Sequence, residues 1–395
     1  MLPTAKTHVV HITQKLEIGG LESFIVELCR KMDTTGFRST VLCLNGYDER
    51  YKTSLEQIGV PVHLIRKKHR YDALFLLRAA SFLRSIRADI VHSHGGCFFY
   101  SSLIGKLAGV RQLVHTVHGM PLSSGLQARV EEYLSCAMTD RIIAVSDQIA
   151  EDLSSRNPHI ANKLEVVING IDTDRFRPVR DDELRAAGRA GFGLPQTARI
   201  IGTVGRLEKI KNYPLLLRAC AELIHSHGTG AHLALVGSGS EEQALRQLAR
   251  ELGIAERVSF LGMQYDLQQI YPLFDVFVLS SLTEGTSLSL LEAQACGIPA
   301  LVTDVGGNPR IISNGINGYL CPSGDQAAMA ALLDRLFGDD VLMAEMGNAA
   351  RTRVMEGFDL SGMVKTYQQG YRSHADTVRR QRMERIMASY DTQLP

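Results

Sequence analysis

The chain has 395 residues, of which 45% are hydrophobic and 22% are charged, and its net charge is +1. This composition is typical of a folded globular protein, and the length predicts two domains. The near-neutral charge excludes a general electrostatic attraction for nucleic acid. Seven cysteines without a Cys-x-x-Cys pair argue against a disulfide scaffold or a zinc site, and predict buried free thiols in a reducing compartment.

Short apolar runs alternate with amphipathic segments in the first half of the chain. Predicted strands are His8–Ile12, Ser39–Cys43, Val62–Ile65, Ile90–His94, Leu113–Val117, Arg141–Val145 and Glu165–Ile168. Predicted helices between them are Leu21–Met32, Tyr71–Arg84, Ser101–Ala108 and Gln127–Thr139. The first apolar run is too short for a signal peptide, and no run is long enough to span a bilayer, so we expect a cytoplasmic protein.

The same rhythm returns in the second half. Predicted strands are Ile200–Val204, His232–Val236, Val258–Leu261, Val276–Leu279, Ala300–Thr303 and Gly318–Cys321. Predicted helices are Tyr213–His225, Glu241–Glu251, Leu267–Phe274, Leu288–Cys296 and Gln326–Leu336, and the tail after Asp359 is helical in composition. Apolar strands that alternate with helices predict two α/β, doubly wound parallel sheets. The Gly- and Pro-containing segment Arg175–Gln196, with one short helix expected at about Asp182–Arg189, suggests the boundary, giving domains 1–180 and 181–360 and a final segment 361–395.

Two glutamates flank a predicted helix start. Glu284 follows a buried strand, and Glu292 lies eight positions later, inside the helix. Between them, the backbone N–H groups of residues 285–288 are predicted to form an anion site, because helix N-termini carry unpaired donors and a positive dipole end. This arrangement suits a phosphate flanked by hydroxyl-rich groups, as in a nucleotide sugar.

Two cations follow the first strand of the second half. Gly205 precedes Arg206, and Lys211 comes five positions later, directly before a helix. Because ligands of doubly wound sheets bind beyond the carboxyl ends of the strands, these side chains are placed to bind a diphosphate. They would stabilise the charge that a leaving diphosphate gains.

Other motifs have weaker interpretations. His92 and His94 share a strand face, but no carboxylate or cysteine cluster supports a metal site there. Asp172 and Asp174 follow an Asn-Gly pair, which favours a structural turn over a metal site. The Gly237-x-Gly239 motif lacks the third glycine of a dinucleotide fingerprint, which argues against an NAD-dependent oxidoreductase.

In their order along nearly the whole chain, these motifs resemble retaining glycosyltransferases of family 4. The elements that carry the resemblance are Gly19-Gly20, His118, Asn169-Gly170, Gly205-Arg206 with Lys211, Phe260-Leu-Gly262, Glu284-x7-Glu292, Cys296-Gly-Ile-Pro299 and Gly306-Gly307. The resemblance implies a GT-B fold, with two Rossmann-like domains facing a deep cleft and a last helix that crosses back to the first domain. It also implies a nucleotide-sugar donor, and catalysis without a metal or other cofactor.

The resemblance further implies individual roles. Arg206 and Lys211 would hold the donor diphosphate, and Glu284 would bind hydroxyls of the transferred sugar. The amides of Gly285, Thr286, Ser287 and Leu288 would contact the sugar and phosphate. Glu292 would bind the ribose hydroxyls, and His118 would face the donor sugar. Gly20 would make room for phosphate or acceptor, and Gly205 directly precedes the cation pair.

Two departures from the family pattern stand out. Thr286-Ser287 replaces an aromatic or aliphatic residue followed by proline, and Arg310 replaces a glutamate after Gly-Gly-x-Pro. We expect the first to affect sugar choice and the second to affect a supporting contact.

The leading hypothesis is transfer of a sugar, with retention, from a UDP-sugar to a glycan or lipid-linked acceptor in bacterial surface-polysaccharide synthesis. Front-side displacement, in which the leaving phosphate assists deprotonation of the acceptor, is preferred over Glu284 as a covalent nucleophile. A UDP-sugar epimerase or a phosphorylase on the same fold, and a non-catalytic nucleotide- or glycan-binding subunit, remain as alternatives. A basic run that contains Arg66, Lys67, Lys68 and Arg70 leaves open peripheral contact with the membrane or with a phosphate-bearing acceptor.

Overall fold

A computed structural model describes residues 6–372, except residues 18, 69–71, 120–124, 180, 228 and 229. The described residues form two compact units. The first unit draws on Met1–Ile168 and Ser361–Pro395, and the second is Asn169–Leu360. Each unit is described separately below.

The first unit is built on a seven-stranded parallel sheet of order β3-β2-β1-β4-β5-β6-β7. Its strands are β1 (Thr7–Leu16), β2 (Phe37–Tyr47), β3 (Val62–Leu64), β4 (Ile90–His94), β5 (Gln112–Val117), β6 (Arg141–Ala144) and β7 (Leu164–Val166). The helices are α1 (Gly20–Lys31), α2 (Glu49–Gln57), α3 (Ala73–Ser85), α4 (Phe98–Ala108), α5 (Leu126–Met138) and α6 (Asp147–Arg156). Because helices cover both faces of a doubly wound sheet, its central strands are buried, including polar residues such as His92, Ser93 and His94 of β4.

The second unit has a six-stranded parallel sheet of order β10-β9-β8-β11-β12-β13. Its strands are β8 (Arg199–Val204), β9 (Ala231–Val236), β10 (Val258–Phe260), β11 (Val276–Leu279), β12 (Ala300–Thr303) and β13 (Gly318–Cys321). The helices are α7 (Asp182–Gly191), α8 (Tyr213–His227), α9 (Glu242–Glu251), α10 (Leu288–Ala295), α11 (Asn308–Ile311), α12 (Gln326–Phe337) and α13 (Asp340–Gly357). The prediction of two doubly wound α/β units is confirmed.

The division between the units falls at Ile168, upstream of the predicted boundary at residue 180. The guanidinium of Arg351, in α13, explains why the residues that follow Ile168 belong to the second unit. It donates to the carbonyls of Thr173 (2.9 Å) and Phe176 (2.7 Å), and so ties the segment after Ile168 to α13.

The chain returns to the first unit at Ser361. Residues 361–372 are helical, and the Tyr371 hydroxyl lies 2.6 Å from His92 Nδ1. The rest of the predicted tail, from residue 373 onward, lies outside the described residues. None of the helices within the described ranges combines the length and apolar character needed to cross a bilayer.

The helix predicted at Leu267–Phe274 is wrong. This segment forms two short 3₁₀ turns, Leu267–Gln269 and Tyr271–Leu273, because Pro272 cannot donate the hydrogen bond of a continuing helix. Among the residues that the structure describes, four helices were not predicted: α2, α6, α11 and α13, whereas α7 matches the short helix expected at about Asp182–Arg189. The prediction of buried free thiols is confirmed, since all seven cysteines are free and buried.

Candidate active site

The predicted cations and the first predicted carboxylate follow two adjacent strands. In the second sheet the strand order reverses between β8 and β11, and ligands of this fold class bind beyond such a point. The loop after β8 carries Arg206 and Lys211, and the loop after β11 carries Glu284. Two bonds join these loops: Leu282 N donates to Ile210 O (2.8 Å), and the hydroxyl of Ser280 donates to Lys211 O (2.9 Å).

Lys211 and Glu284 form an ion pair. The distance from Lys211 Nζ to Glu284 Oε1 is 2.6 Å, and the Ser281 hydroxyl donates to the same oxygen at 2.6 Å. The two charged side chains are only 19% and 10% exposed, so water screens their charges weakly. One carboxylate oxygen therefore accepts two hydrogen bonds, and the ammonium is held at the point where the strand order reverses.

Arg206 lies at the start of the same loop, and its side chain is exposed. Its guanidinium makes no hydrogen bond or ion pair with any residue that the structure describes. Gly205 brings the loop backbone close to the lysine, since a Cβ at Gly205 would lie 3.6 Å from Lys211 Cε. The structure thus gathers Gly205, Lys211 and Glu284, with Arg206 adjacent in the chain.

Two glycines outside these loops allow them to pack closely. A Cβ at Gly306 would lie 1.8 Å from Glu284 O, and Gly306 also has a positive φ of 58°. A Cβ at Gly237 would lie 2.0 Å from Gly205 O. The Gly237-x-Gly239 motif therefore packs against the loop that carries Arg206 and Lys211. This close packing accounts for Gly237 without any bound dinucleotide.

We expect Gly306→Ala to lower the free energy of unfolding by at least about 2 kcal/mol, because the new methyl group would collide with the Glu284 carbonyl. Urea denaturation would measure this loss. Gly315→Ala is the matched control, since Gly315 also has a positive φ (81°) but has no heavy atom within 4 Å of its Cβ position. The control should lose only the left-handed strain, about 1 kcal/mol. Equal losses in both variants would contradict a steric role for Gly306.

The predicted helix start is confirmed at Leu288, the first residue of α10. Ser287 caps the helix, because its side-chain oxygen accepts from Leu290 N (3.3 Å). Gly285 O accepts from Gly307 N (3.0 Å), which fixes the loop before the cap. The departure Thr286-Ser287 thus supplies an N-cap where the family often has proline. Arg310, the other departure, is exposed in α11.

Glu292 is buried in α10, and the hydroxyl of Tyr271 donates to its Oε2 at 2.6 Å. Burial, together with the neighbouring Glu292 charge, raises the pKa of Tyr271 well above its ordinary value. The phenol therefore stays protonated and serves as a fixed donor to the carboxylate. Tyr271 was not among the predicted site residues, because the segment around it was predicted as an ordinary helix.

Two of the predicted site residues lie in the first unit: Gly20 begins α1, and His118 follows β5. His118 Nε2 lies 3.3 Å from His94 Nδ1, and His94 Nε2 lies 3.1 Å from His11 Nδ1. Burial lowers the pKa of His118 to about 3, so the imidazole is neutral near pH 7 and can donate or accept a hydrogen bond.

The histidines also form a group that could hold a metal. Ligand nitrogens of His11, His92 and His94 lie within 4.8 Å of one another. Both ring nitrogens of His92 and of His94 are already hydrogen-bonded, to Thr116, Tyr371, His11 and His118, so an ion would have to displace these bonds. Asp172, by contrast, forms the predicted turn: its Oδ1 accepts from Asp174 N (3.1 Å) and Arg175 N (3.2 Å).

Known proteins match both units. The family model described as Glycosyl transferases group 1 matches residues 185–353, and the Glycosyltransferase Family 4 model matches residues 18–175. A D-inositol 3-phosphate glycosyltransferase of Streptomyces avermitilis is 33% identical over 373 residues, which cover 87% of this chain and 77% of that protein. The UDP-Gal:alpha-D-GlcNAc-diphosphoundecaprenol alpha-1,3-galactosyltransferase of Escherichia coli is 29% identical over 300 residues, covering 76% and 79% of the two chains.

Solved structures agree on the fold. The Anabaena protein HepE, crystallised in complex with UDP and glucose, is similar with a TM-score of 0.81 and 20% identity, over 92% of this chain and 99% of that chain. At this level of sequence identity, the similarity to HepE shows only that the two chains share a fold. The sequence relationship to the Streptomyces enzyme, over most of both chains, carries the family assignment. The protein is therefore a member of glycosyltransferase family 4, the glycosyl transferases group 1, and has the GT-B fold.

Proposed function

We propose that this glycosyltransferase moves a sugar from UDP to a glycan or lipid-linked acceptor, with retention at the anomeric carbon and without a metal ion. The observation that carries the proposal is the Lys211–Glu284 pair, at the point where the strand order reverses and one turn before the start of α10. This location offers a cation and helix N–H groups to a phosphate, and a carboxylate to sugar hydroxyls.

Lys211 and Arg206 take the role that a divalent cation takes in other transferases. When the bond between the sugar and the diphosphate breaks, negative charge grows on the β-phosphate. Fixed cations stabilise that charge more in the transition state than in the ground state. The low exposure of Lys211 supports this role, because a poorly hydrated ammonium interacts more strongly with phosphate.

Glu284 is proposed to position the transferred sugar through its hydroxyls. Its Oε1 already accepts from Lys211 and Ser281, and these two bonds reduce its nucleophilicity. We therefore favour front-side displacement over a covalent intermediate. In that step the acceptor oxygen bonds to the anomeric carbon as the bond to the β-phosphate oxygen breaks. The proton of the acceptor hydroxyl passes to the departing phosphate.

Glu292 is proposed to bind the ribose hydroxyls, with Tyr271 fixing the carboxylate. The choice of UDP is supported by the complex of HepE with UDP and glucose. The names of both curated relatives include a phosphate-bearing acceptor, an inositol 3-phosphate and a diphosphoundecaprenol-linked sugar. They support a phosphorylated or lipid-linked acceptor here, and we propose that the product serves bacterial surface-polysaccharide synthesis.

A thermal-shift screen of UDP, GDP and ADP, with EDTA present, tests the donor proposal. Ligands that bind the folded state raise its melting temperature, so UDP should give the largest shift, and a parallel screen with Mg²⁺ in place of EDTA should not increase that shift. With the donor identified, proton NMR of the product should show the anomeric configuration of the donor. An inverted product, a Mg²⁺ requirement, or conversion of the donor sugar without any acceptor would contradict the proposal.

A further inference from the structure

Three neighbouring helices of the first unit carry unusually apolar solvent faces. The helices α3, α4 and α5 connect β3 to β4, β4 to β5 and β5 to β6, and right-handed crossovers place all three on one face of the sheet. The helices pack side by side, α3 on α4 and α4 on α5. We call their combined solvent surface the α3–α5 face. It includes the exposed apolar side chains of Leu74, Leu77, Leu107, Leu126, Val130, Tyr133 and Leu134.

The stripe on α5 is the clearest part of this face. Leu126, Val130, Tyr133 and Leu134 follow helical spacing, which places them on one side of the helix. Such a stripe ordinarily faces the core, but here Leu126 is 80% exposed and Tyr133 is 53% exposed. The residues of α5 that are buried are Ser135 and Cys136. On α3, Leu74 is 71% exposed. Apolar surface of this kind marks an interaction site.

The exposed charges on the α3–α5 face are positive. The exposed charged side chains of the three helices are Arg78, Arg84, Lys106 and Arg129. The carboxylates of α5, Glu131 and Glu132, are half-buried, and Glu132 accepts from Arg156 Nη1 at 2.9 Å. The basic segment before α3 continues the pattern, because Arg66 and Lys68 are exposed and Arg78 donates to Arg66 O (3.4 Å).

We propose that the α3–α5 face docks on an anionic lipid bilayer. Leucine, valine and tyrosine side chains would enter the interfacial region, and the arginines and lysines would meet lipid phosphates. A second copy of this chain is a poor occupant, because a symmetric contact would place the same cations opposite one another. The inference adds a membrane surface to the proposed function, which names a lipid-linked acceptor, and it is tested by binding without any turnover.

Vesicle flotation tests the docking surface directly. The full chain is mixed with phosphatidylcholine vesicles, with or without phosphatidylglycerol. The wild-type protein should float with the anionic vesicles, and far less with the neutral ones. Leu126→Ser combined with Leu134→Ser should weaken that binding roughly tenfold or more. The variant lacks two apolar side chains whose transfer from water into the bilayer would favour binding. Leu184→Ser combined with Val341→Ser is the matched control, since these residues of the second unit are 65% and 68% exposed. The control should bind as the wild type does.

Several outcomes would overturn the proposal: no binding to anionic vesicles, equal binding to neutral vesicles, or equal losses in the two double variants. A dimer in size-exclusion chromatography that Leu126→Ser and Leu134→Ser convert to a monomer would also overturn it, by assigning the face to a second copy. Thermal melts check that both double variants stay folded. A protein that binds anionic vesicles as expected but transfers no sugar would retain the docking surface and refute the proposed function.

Discussion

Replacing Lys211 with alanine should lower turnover by about 10²–10³-fold, the usual cost of removing one preorganised group that stabilises developing negative charge. The Lys211 ammonium lies beside Glu284 and is only 19% exposed, whereas the other cations of the loop after β8, Arg206 and Lys209, are exposed. The fold should survive, because Glu284 keeps the hydrogen bond from Ser281. Steady-state kinetics with saturating UDP-sugar would measure the loss.

Lys209→Ala is the matched control for this experiment. Lys209 belongs to the same short turn but is exposed, and its loss should change turnover by less than a few fold. Lys211→Arg should recover part of the activity, since it restores the charge but not the compact geometry. Unchanged turnover in Lys211→Ala, or an equal loss in Lys209→Ala, would remove Lys211 from the mechanism.

Removing the hydroxyl of Tyr271 should weaken UDP binding by about tenfold to a hundredfold, which corresponds to the usual 1.5–3 kcal/mol of a hydrogen bond to a charged group. Tyr271→Phe leaves the buried Glu292 carboxylate without the donor that orients it. The ribose lies away from the bond that breaks, so turnover at saturating donor should hardly change. Titration calorimetry with UDP would measure the affinity.

Double-mutant analysis sharpens this prediction. If Tyr271 acts through Glu292, then Tyr271→Phe should cost little once Glu292→Ala is present, because the acceptor of the tyrosine hydrogen bond has then been removed. Tyr319→Phe provides a control, since Tyr319 is a buried tyrosine in β13 of the same unit. Fully additive losses, or an equal effect of Tyr319→Phe, would show that Tyr271 does not position Glu292 for the ribose.

The sheets were well predicted from the sequence, because most of their strands contain apolar runs, as burial on both faces of a sheet requires. Every predicted strand is present in the structure, from β1 to β13. Helices with polar or mixed patterns were harder to predict. In α2 the buried residue is Leu55, and α13 buries small residues such as Gly347 and Ala350, so neither sequence has a strong apolar periodicity.

Parts of the candidate site could be predicted, and parts could not. The strand-end positions of Lys211 and Glu284 follow from the pattern of strands and helices, but their ion pair depends on loop geometry that no spacing encodes. The Tyr271–Glu292 contact joins residues 21 positions apart across a segment that Pro272 keeps from forming a regular helix. Gly237 has a steric role that becomes visible only when the neighbouring loop is in place.

The crystal structure of the protein with UDP is the measurement that tests the central claim most directly. We predict that Lys211 Nζ and the Arg206 guanidinium will lie about 3 Å from β-phosphate oxygens, with the Glu292 carboxylate on the ribose hydroxyls. A diphosphate bound elsewhere, or bound through a metal ion with Lys211 still paired to Glu284 alone, would contradict the proposal that these side chains stabilise the leaving group.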